Sequence, residues 1–274
     1  MTSRPILVGG VPEHFNLPWH LALESDALRT IDAKWEDQAS GTGQMLSKLE
    51  SGDLDLVSIL TEGTVAAIED GAALTILQVY VESPLQWGVF VPAASRFTHE
   101  SELEGARIAI SRFNSGSHLM AYVHASQQGW SVNEDQFVVV GGIDGAVDSF
   151  AAGHSDLFLW EQHMTRPLVT QGKFRQLGVQ ETPWPSFVIA VRSELLASRT
   201  TEVGRIVDAV VAEANKLHRR PDVTSIITTK YGLKAETVEA WLETTKFAPR
   251  SAIEPEIPAT VLAVLRQAGV GSKI

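Results

Sequence analysis

Glu13, Glu62, Glu161 and His20 all stand close to the points where strand-like runs give way to turns or helices. A carboxyl or an imidazole at such a point can give a proton to a bound molecule or take one from it. The same side chains also serve simply as hydrogen-bond partners of a ligand, or face water. Five turns of small and polar residues accompany them: Gly10–His14, Ser40–Gly43, Thr61–Thr64, Asn114–His118 and Gly141–Asp144. Each leads toward a helix, whose first N–H groups and positive dipole end suit a polar ligand group. Small residues also belong in any strand-to-helix turn, so the set of five says more than any one of them. Asn114, Ser115 and Ser117 form the most specific of these turns, a Gly/Ser loop able to offer several donors to one oxygen. Trp19, Trp160 and Trp184 fall where a planar ligand could stack, and each equally suits a core.

Other chemistries lack their residues. No Gly-x-Ser-x-Gly elbow, phosphate loop or dinucleotide-binding glycine pattern occurs. His14 and His20 are six apart, as are His118 and His124, a poor spacing for shared ligation. No metal and no cofactor is expected. The chain has no cysteine, which removes disulfides, thiolate ligands and thiol nucleophiles. Its formal charge of −11 argues against nucleic acid as a partner. No apolar stretch is long enough for membrane insertion.

The elements that must hold these residues alternate strand and helix. Ile6–Val11, Asp32–Gln38, Leu54–Leu60 and Leu74–Val81 read as strands, with helices over Pro18–Ile31, from Gly43 to Gly52, and Glu62–Asp70. The order predicts an α/β protein with a parallel sheet. Val79–Pro92 is extended and apolar, and the β-α order then restarts. Its strands are Arg107–Ser111, Phe137–Val140, Asp156–Trp160 and Phe174–Val179; its helices are Ser117–Gly129, Asp144–Ala152 and His163–Gln171. Phe187–Val191 carries the chain back. Glu202–Leu217, Val223–Lys230, Ala235–Thr244 and Pro258–Ala268 are helical. This gives one lobe from residues 1–92 and 187–274 and a second from 93–186. The 274 residues suffice for two domains of ordinary size.

Several segments together resemble a known family. They are Gly10-Val-Pro with Pro18-Trp-His-Leu-Ala-Leu-Glu24, Gly41-Thr-Gly-Gln-Met with Leu49-Glu-Ser-Gly-Asp-Leu-Asp55, Glu104-Gly-Ala-Arg-Ile-Ala-Ile110, Asn114-Ser-Gly-Ser-His118, and Asp144 through Trp160. In this order they resemble the type II periplasmic solute-binding proteins, in the group of alkanesulfonate, taurine and thiamine-pyrimidine-precursor binders. The resemblance spans roughly residues 5–195. It implies a two-lobed α/β fold with two crossing strands, and a ligand cleft between lobes that close by a hinge. On that basis the chain is expected to capture a small organic molecule, a planar heterocycle or a small organic anion, without changing it. The expected contacts are Trp19, His20, Thr42, Glu62, Asn114, Ser115, Ser117 and Trp160. The alternative is a cytoplasmic enzyme on the same fold, with Glu62, Glu161 or His20 moving protons. The expected location is cytoplasmic if Met1 is the natural start, and periplasmic or extracellular if a signal has been removed. An ABC permease is an expected partner only in the exported case.

Overall fold

The structure, a computed structural model, describes residues 4–113 and 115–267. It contains two five-stranded sheets, each belonging to its own compact unit. Among the described residues, the first unit holds those through Ser83 and from Trp184 to Pro258; the second holds those from Pro84 to Pro183 and from Ala259 to Gln267.

The first sheet contains β1 (Ile6–Gly10), β2 (Ala33–Asp37), β3 (Leu56–Leu60), β4 (Leu74–Val81) and β10 (Phe187–Arg192), in the order β2-β1-β3-β10-β4. The strands β1, β2 and β3 run parallel, as their β-α order requires. Helices α1 (Leu17–Leu23), α2 (Thr42–Ser51) and α3 (Thr61–Glu69) connect and cover them. One core cluster joins Met45 and Leu49 of α2 to Leu54, Val57, Ile59, Val188 and Ala190 of the sheet. The spacing of Met45 and Leu49 by four places both on one helix face. Asp55, fully buried, ties three strands together at the start of β3: its carboxylate accepts the Leu7 N–H at 3.0 Å and bonds from Arg4 at 2.6 and 2.8 Å and from Arg192 at 3.2 Å.

The second sheet contains β5 (Gln86–Pro92), β6 (Ile108–Ile110), β7 (Phe137–Val139), β8 (Leu157–Glu161) and β9 (Phe174–Glu181), in the order β7-β6-β8-β5-β9. Helices α4 (Gly116–Gln128), α5 (Ile143–Ala151) and α6 (Gln162–Thr170) connect its strands. Phenylalanines dominate its core, where Phe90, Phe150, Phe158 and Phe174 surround Ala109 and Ala146.

The expectation of parallel sheets needs correcting. Strand β10 is antiparallel to β3 and β4, and β5 is antiparallel to β8 and β9. Both strands are reached without a crossover helix, so nothing compels them to run parallel. The helix expected over Pro18–Ile31 ends at Leu23. There the Ser25 hydroxyl donates to the Ala22 carbonyl at 2.6 Å, and a single 3-10 turn, Asp26–Leu28, follows. A hydroxyl that bonds back to the preceding turn competes with helix continuation.

The remaining helices are α7 (Ser193–Leu217), α8 (Val223–Tyr231), α9 (Ala235–Thr244) and α10 (Glu256–Gln267). Helix α7 begins nine residues before the expected Glu202 and breaks at Arg199, where φ is −134°. Ala268, the expected end of the last helix, lies outside the described residues. Among the described residues no helix is long and apolar enough to cross a membrane, and no cluster of three or more His, Asp or Glu is placed to hold a metal.

Candidate functional site

In the first unit, β3 passes directly into α3, with Leu60 as the last extended residue. The head of that helix is anchored by Thr61. Its hydroxyl donates to the Pro185 carbonyl at 2.5 Å, and its N–H donates to the Ser186 carbonyl at 3.1 Å. Glu62 follows and is fully buried. The Trp184 indole N–H donates to its Oε2 at 2.9 Å, and its Oε1 has no hydrogen-bond partner. Burial pushes this carboxyl from 4.5 up to about 7, against the opposing pull of its own backbone N–H and of Trp184.

Thr42 opens α2 after Gly41, whose φ of +73° suits glycine. Its Cγ2 lies 2.5 Å from where a Cβ on Gly63 would stand. Only glycine at 63 lets the heads of α2 and α3 meet this closely. Thr42 at the head of α2 therefore meets the head of α3 at Gly63, next in sequence to Glu62, which Trp184 bonds, and all three side chains are buried. Trp184 entered the sequence reading as a stacking surface; its role here is to hold a carboxyl.

Trp19 does not join them. It has no exposed surface, and its ring centroid lies 6.1 Å from those of both Trp35 and Tyr80. On α1 it turns inward together with Leu17, Pro18 and Ala22. His20, on the same helix, is half-exposed and lies 4.9 Å from the Trp35 ring. Burial lowers its imidazole, as does nearby Lys230, while Asp37 and Glu24 oppose them.

A second polar group surrounds the end of β1. Gly10 is a close approach: a Cβ there would lie 2.4 Å from the Trp35 ring and 2.8 Å from Asn16. Burial raises the Glu13 carboxyl to about 7. Tyr231, from α8, has a buried hydroxyl with no partner, held above its usual range by burial and by Asp37 and Glu13. Nothing in the helical spacing of α8 pointed to this tyrosine.

In the second unit, β6 leads through residues 111–115 into α4. Asn114 lies outside the described residues. Ser115 is the N-cap of α4. Its hydroxyl accepts the His118 N–H at 3.3 Å, donates to the Arg112 carbonyl at 2.7 Å and lies 3.0 Å from the Ser117 hydroxyl. The Ser117 hydroxyl accepts the Ser111 N–H at 2.9 Å. Both serines, expected as ligand contacts, thus brace their own turn. Ser115→Ala is expected to cost about 1 kcal/mol of stability, the usual loss for an N-cap, measured by urea unfolding. His118, buried against Phe113, Tyr122 and Phe137, has its imidazole lowered to about 4 by that burial.

Trp160 is partly exposed at the end of β8. It stacks on Phe158 at 5.1 Å and meets Trp87 edge-on at 6.5 Å. Glu161 caps α6, where its carboxylate accepts the Met164 N–H at 2.7 Å. That is a structural use of a residue the sequence offered for acid or base work.

The comparisons match this architecture. The Ca3427-like PBP family matches residues 87–179. No curated protein matches the chain in sequence. The solved structure of the CA3427 gene product from Candida albicans, described as defining a new family with the generic periplasmic binding protein fold, aligns with a TM-score of 0.92 and 26% identity, covering 99% of this chain and 92% of that one. The alkanesulfonate-binding protein SsuA from Xanthomonas axonopodis pv. citri, bound to MOPS, aligns at 0.83 with 18% identity over 99% of this chain and 96% of its own. The aliphatic sulphonate binding protein SsuA from Escherichia coli aligns at 0.76 with 18% identity over 100% and 96%.

Proposed function

For a chain with the type II periplasmic binding protein fold and alkanesulfonate-binding proteins among its structural relatives, we propose a solute-binding role: capture of a small organic molecule, a planar heterocycle or a small organic anion. The observation that carries this reading is the Glu62–Trp184 pair beyond β3, beside the meeting of two helix heads at Thr42 and Gly63, with one carboxyl oxygen left without a partner. Convergent polar groups at helix N-termini beyond a parallel sheet are where α/β proteins bind ligands. An unpaired buried oxygen is costly unless something pairs with it. All three side chains are enclosed, so a ligand reaches them only by an opening motion. Hinge closure of two lobes is what the family resemblance implies for capture.

The test is a thermal-shift screen of small metabolites, followed by calorimetry on each hit. A ligand at one hundred times its Kd is expected to add about 2.7 kcal/mol to stability. Small-angle scattering is expected to show the radius of gyration falling on saturation. A complete library without a shift would remove the binding reading. Chemical conversion of a hit would instead favour acid or base chemistry, for which Glu62 and Glu13 are suited by their carboxyls near neutrality.

A further inference from the structure

A helix head ordinarily favours an anion. At the head of α3 the protein has already placed one there. Glu62 stands in the first turn, fully buried, with its carboxyl engaged by its own backbone N–H. Trp184 supplies a second N–H, to Oε2. An indole nitrogen can only donate, so Oε2 is fixed as the acceptor and any proton on this carboxyl sits on Oε1. Among the described residues no cation is paired with this carboxyl. A ligand anion brought to Oε1 would meet a desolvated negative charge or would have to hold a proton there.

Resting on the solute-binding reading, we infer that the group recognised at Glu62 Oε1 is a basic nitrogen of the ligand, an amine or a heterocyclic nitrogen. One proton satisfies that pair in either state. A neutral carboxyl donates O–H to the nitrogen, and a carboxylate accepts N–H from the protonated nitrogen. Both arrangements remove the unpaired oxygen, and the second pairs opposite charges in a dry site, where such bonds are strong. A sulfonate or carboxylate can pair only while Glu62 keeps its proton; once that proton leaves, as at pH 8, two like charges meet in a dry site and the anion is turned away. This separates the site from what the sulfonate-binding relatives hold.

The experiment uses the full chain at pH 8 with four probes of similar size: benzylamine, 4-aminopyridine, benzenesulfonate and benzoate. Calorimetry is expected to show binding of the first two and at least a tenfold weaker response to the other two. The Glu62→Gln variant provides a second measurement. Trp184 would hold the amide oxygen, so the amide NH2 would replace Oε1 with a donor. The amines are expected to lose at least tenfold in affinity, and the anions are expected to gain. Benzenesulfonate or benzoate binding the wild type as tightly as the amines overturns the inference while leaving solute binding intact. Amine affinity unchanged in Glu62→Gln overturns it as well. Failure of all four probes, joined to an empty metabolite screen, overturns the solute-binding reading and this inference with it.

Discussion

Asp55→Ala is expected to destabilise the protein by about 3 kcal/mol, read from the urea midpoint at constant pH. The carboxylate is fully buried where β1, β3 and β10 run side by side. It accepts from the Leu7 N–H, from both terminal nitrogens of Arg4, and from Arg192. Alanine removes every one of these acceptors at once. The Leu7 N–H loses its side-chain partner within the sheet, and a buried donor without a partner costs about 1–3 kcal/mol. Arg192, four-fifths buried, keeps its bond to Glu194 but loses the neutralising charge beside it. The Arg4 contribution is smaller, because half of that side chain faces water. Asp55→Asn keeps the shape and one acceptor oxygen, so it is expected to lose about half as much. A loss below about 1 kcal/mol for alanine would show that neither the strand N–H nor the arginines draw net stability from this carboxylate.

Asp55 also marks how far sequence reading reaches. It lies in the Gly52-Asp-Leu-Asp55 turn into β3, and that turn was legible as a helix stop followed by an apolar run. Its three-strand contacts were not, because two of its partners sit 48 and 137 residues away. The same division holds across the fold. Strands β1, β3, β6 and β8 and helices α2 to α6 could be located from apolar runs broken by glycine and polar caps, since those signals act within one turn or one strand. The directions of β5 and β10 depend on which strands they join across the chain, and no local pattern carries that information. Each lies between two other strands of an open sheet and pairs along both edges, and those partners are distant in the chain.

The candidate site divides in the same way. Thr42 and Glu62 were legible because strand ends and helix heads are local features. The packing of Trp19 on Trp35 and Tyr80 was not legible, because α1 is apolar on more than one side and periodicity alone does not say which side meets the sheet. Ser115 and Ser117 have the composition of a ligand loop, and that is also the composition of a well-satisfied cap. The Glu62–Trp184 bond joins residues 122 apart and could only be seen in three dimensions.

That bond makes the pH dependence of Glu62→Gln the sharpest test of the site. In the wild type, burial lifts the carboxyl from 4.5 to about 7. Between those values the folded chain keeps a proton that the unfolded chain has released. Stability therefore falls as pH rises through this window, and the full cost is present above pH 7. A shift of this size corresponds to about 3 kcal/mol. Glutamine does not ionise, its oxygen still accepts the Trp184 N–H, and its slope in this window is expected to be free of that loss. Buried His118 and half-buried His163 act in the opposite sense. Burial lowers both to about 4, so their contribution is complete above pH 6.5 and disappears as pH falls through 4. Glu13, which burial also raises to about 7, acts in the same sense as Glu62, so the wild-type profile sums two falling and two rising contributions. The variant keeps the histidines and Glu13 and loses one opposing carboxyl, so its profile is expected to rise progressively above that of the wild type as pH increases. Relative to the wild type, it should gain about 3 kcal/mol between pH 4.5 and pH 8 in urea unfolding. Parallel profiles for the two proteins would mean that the Glu62 carboxyl is ionised and well solvated throughout, and would remove the basis for treating it as the neutral or proton-sharing centre of the site.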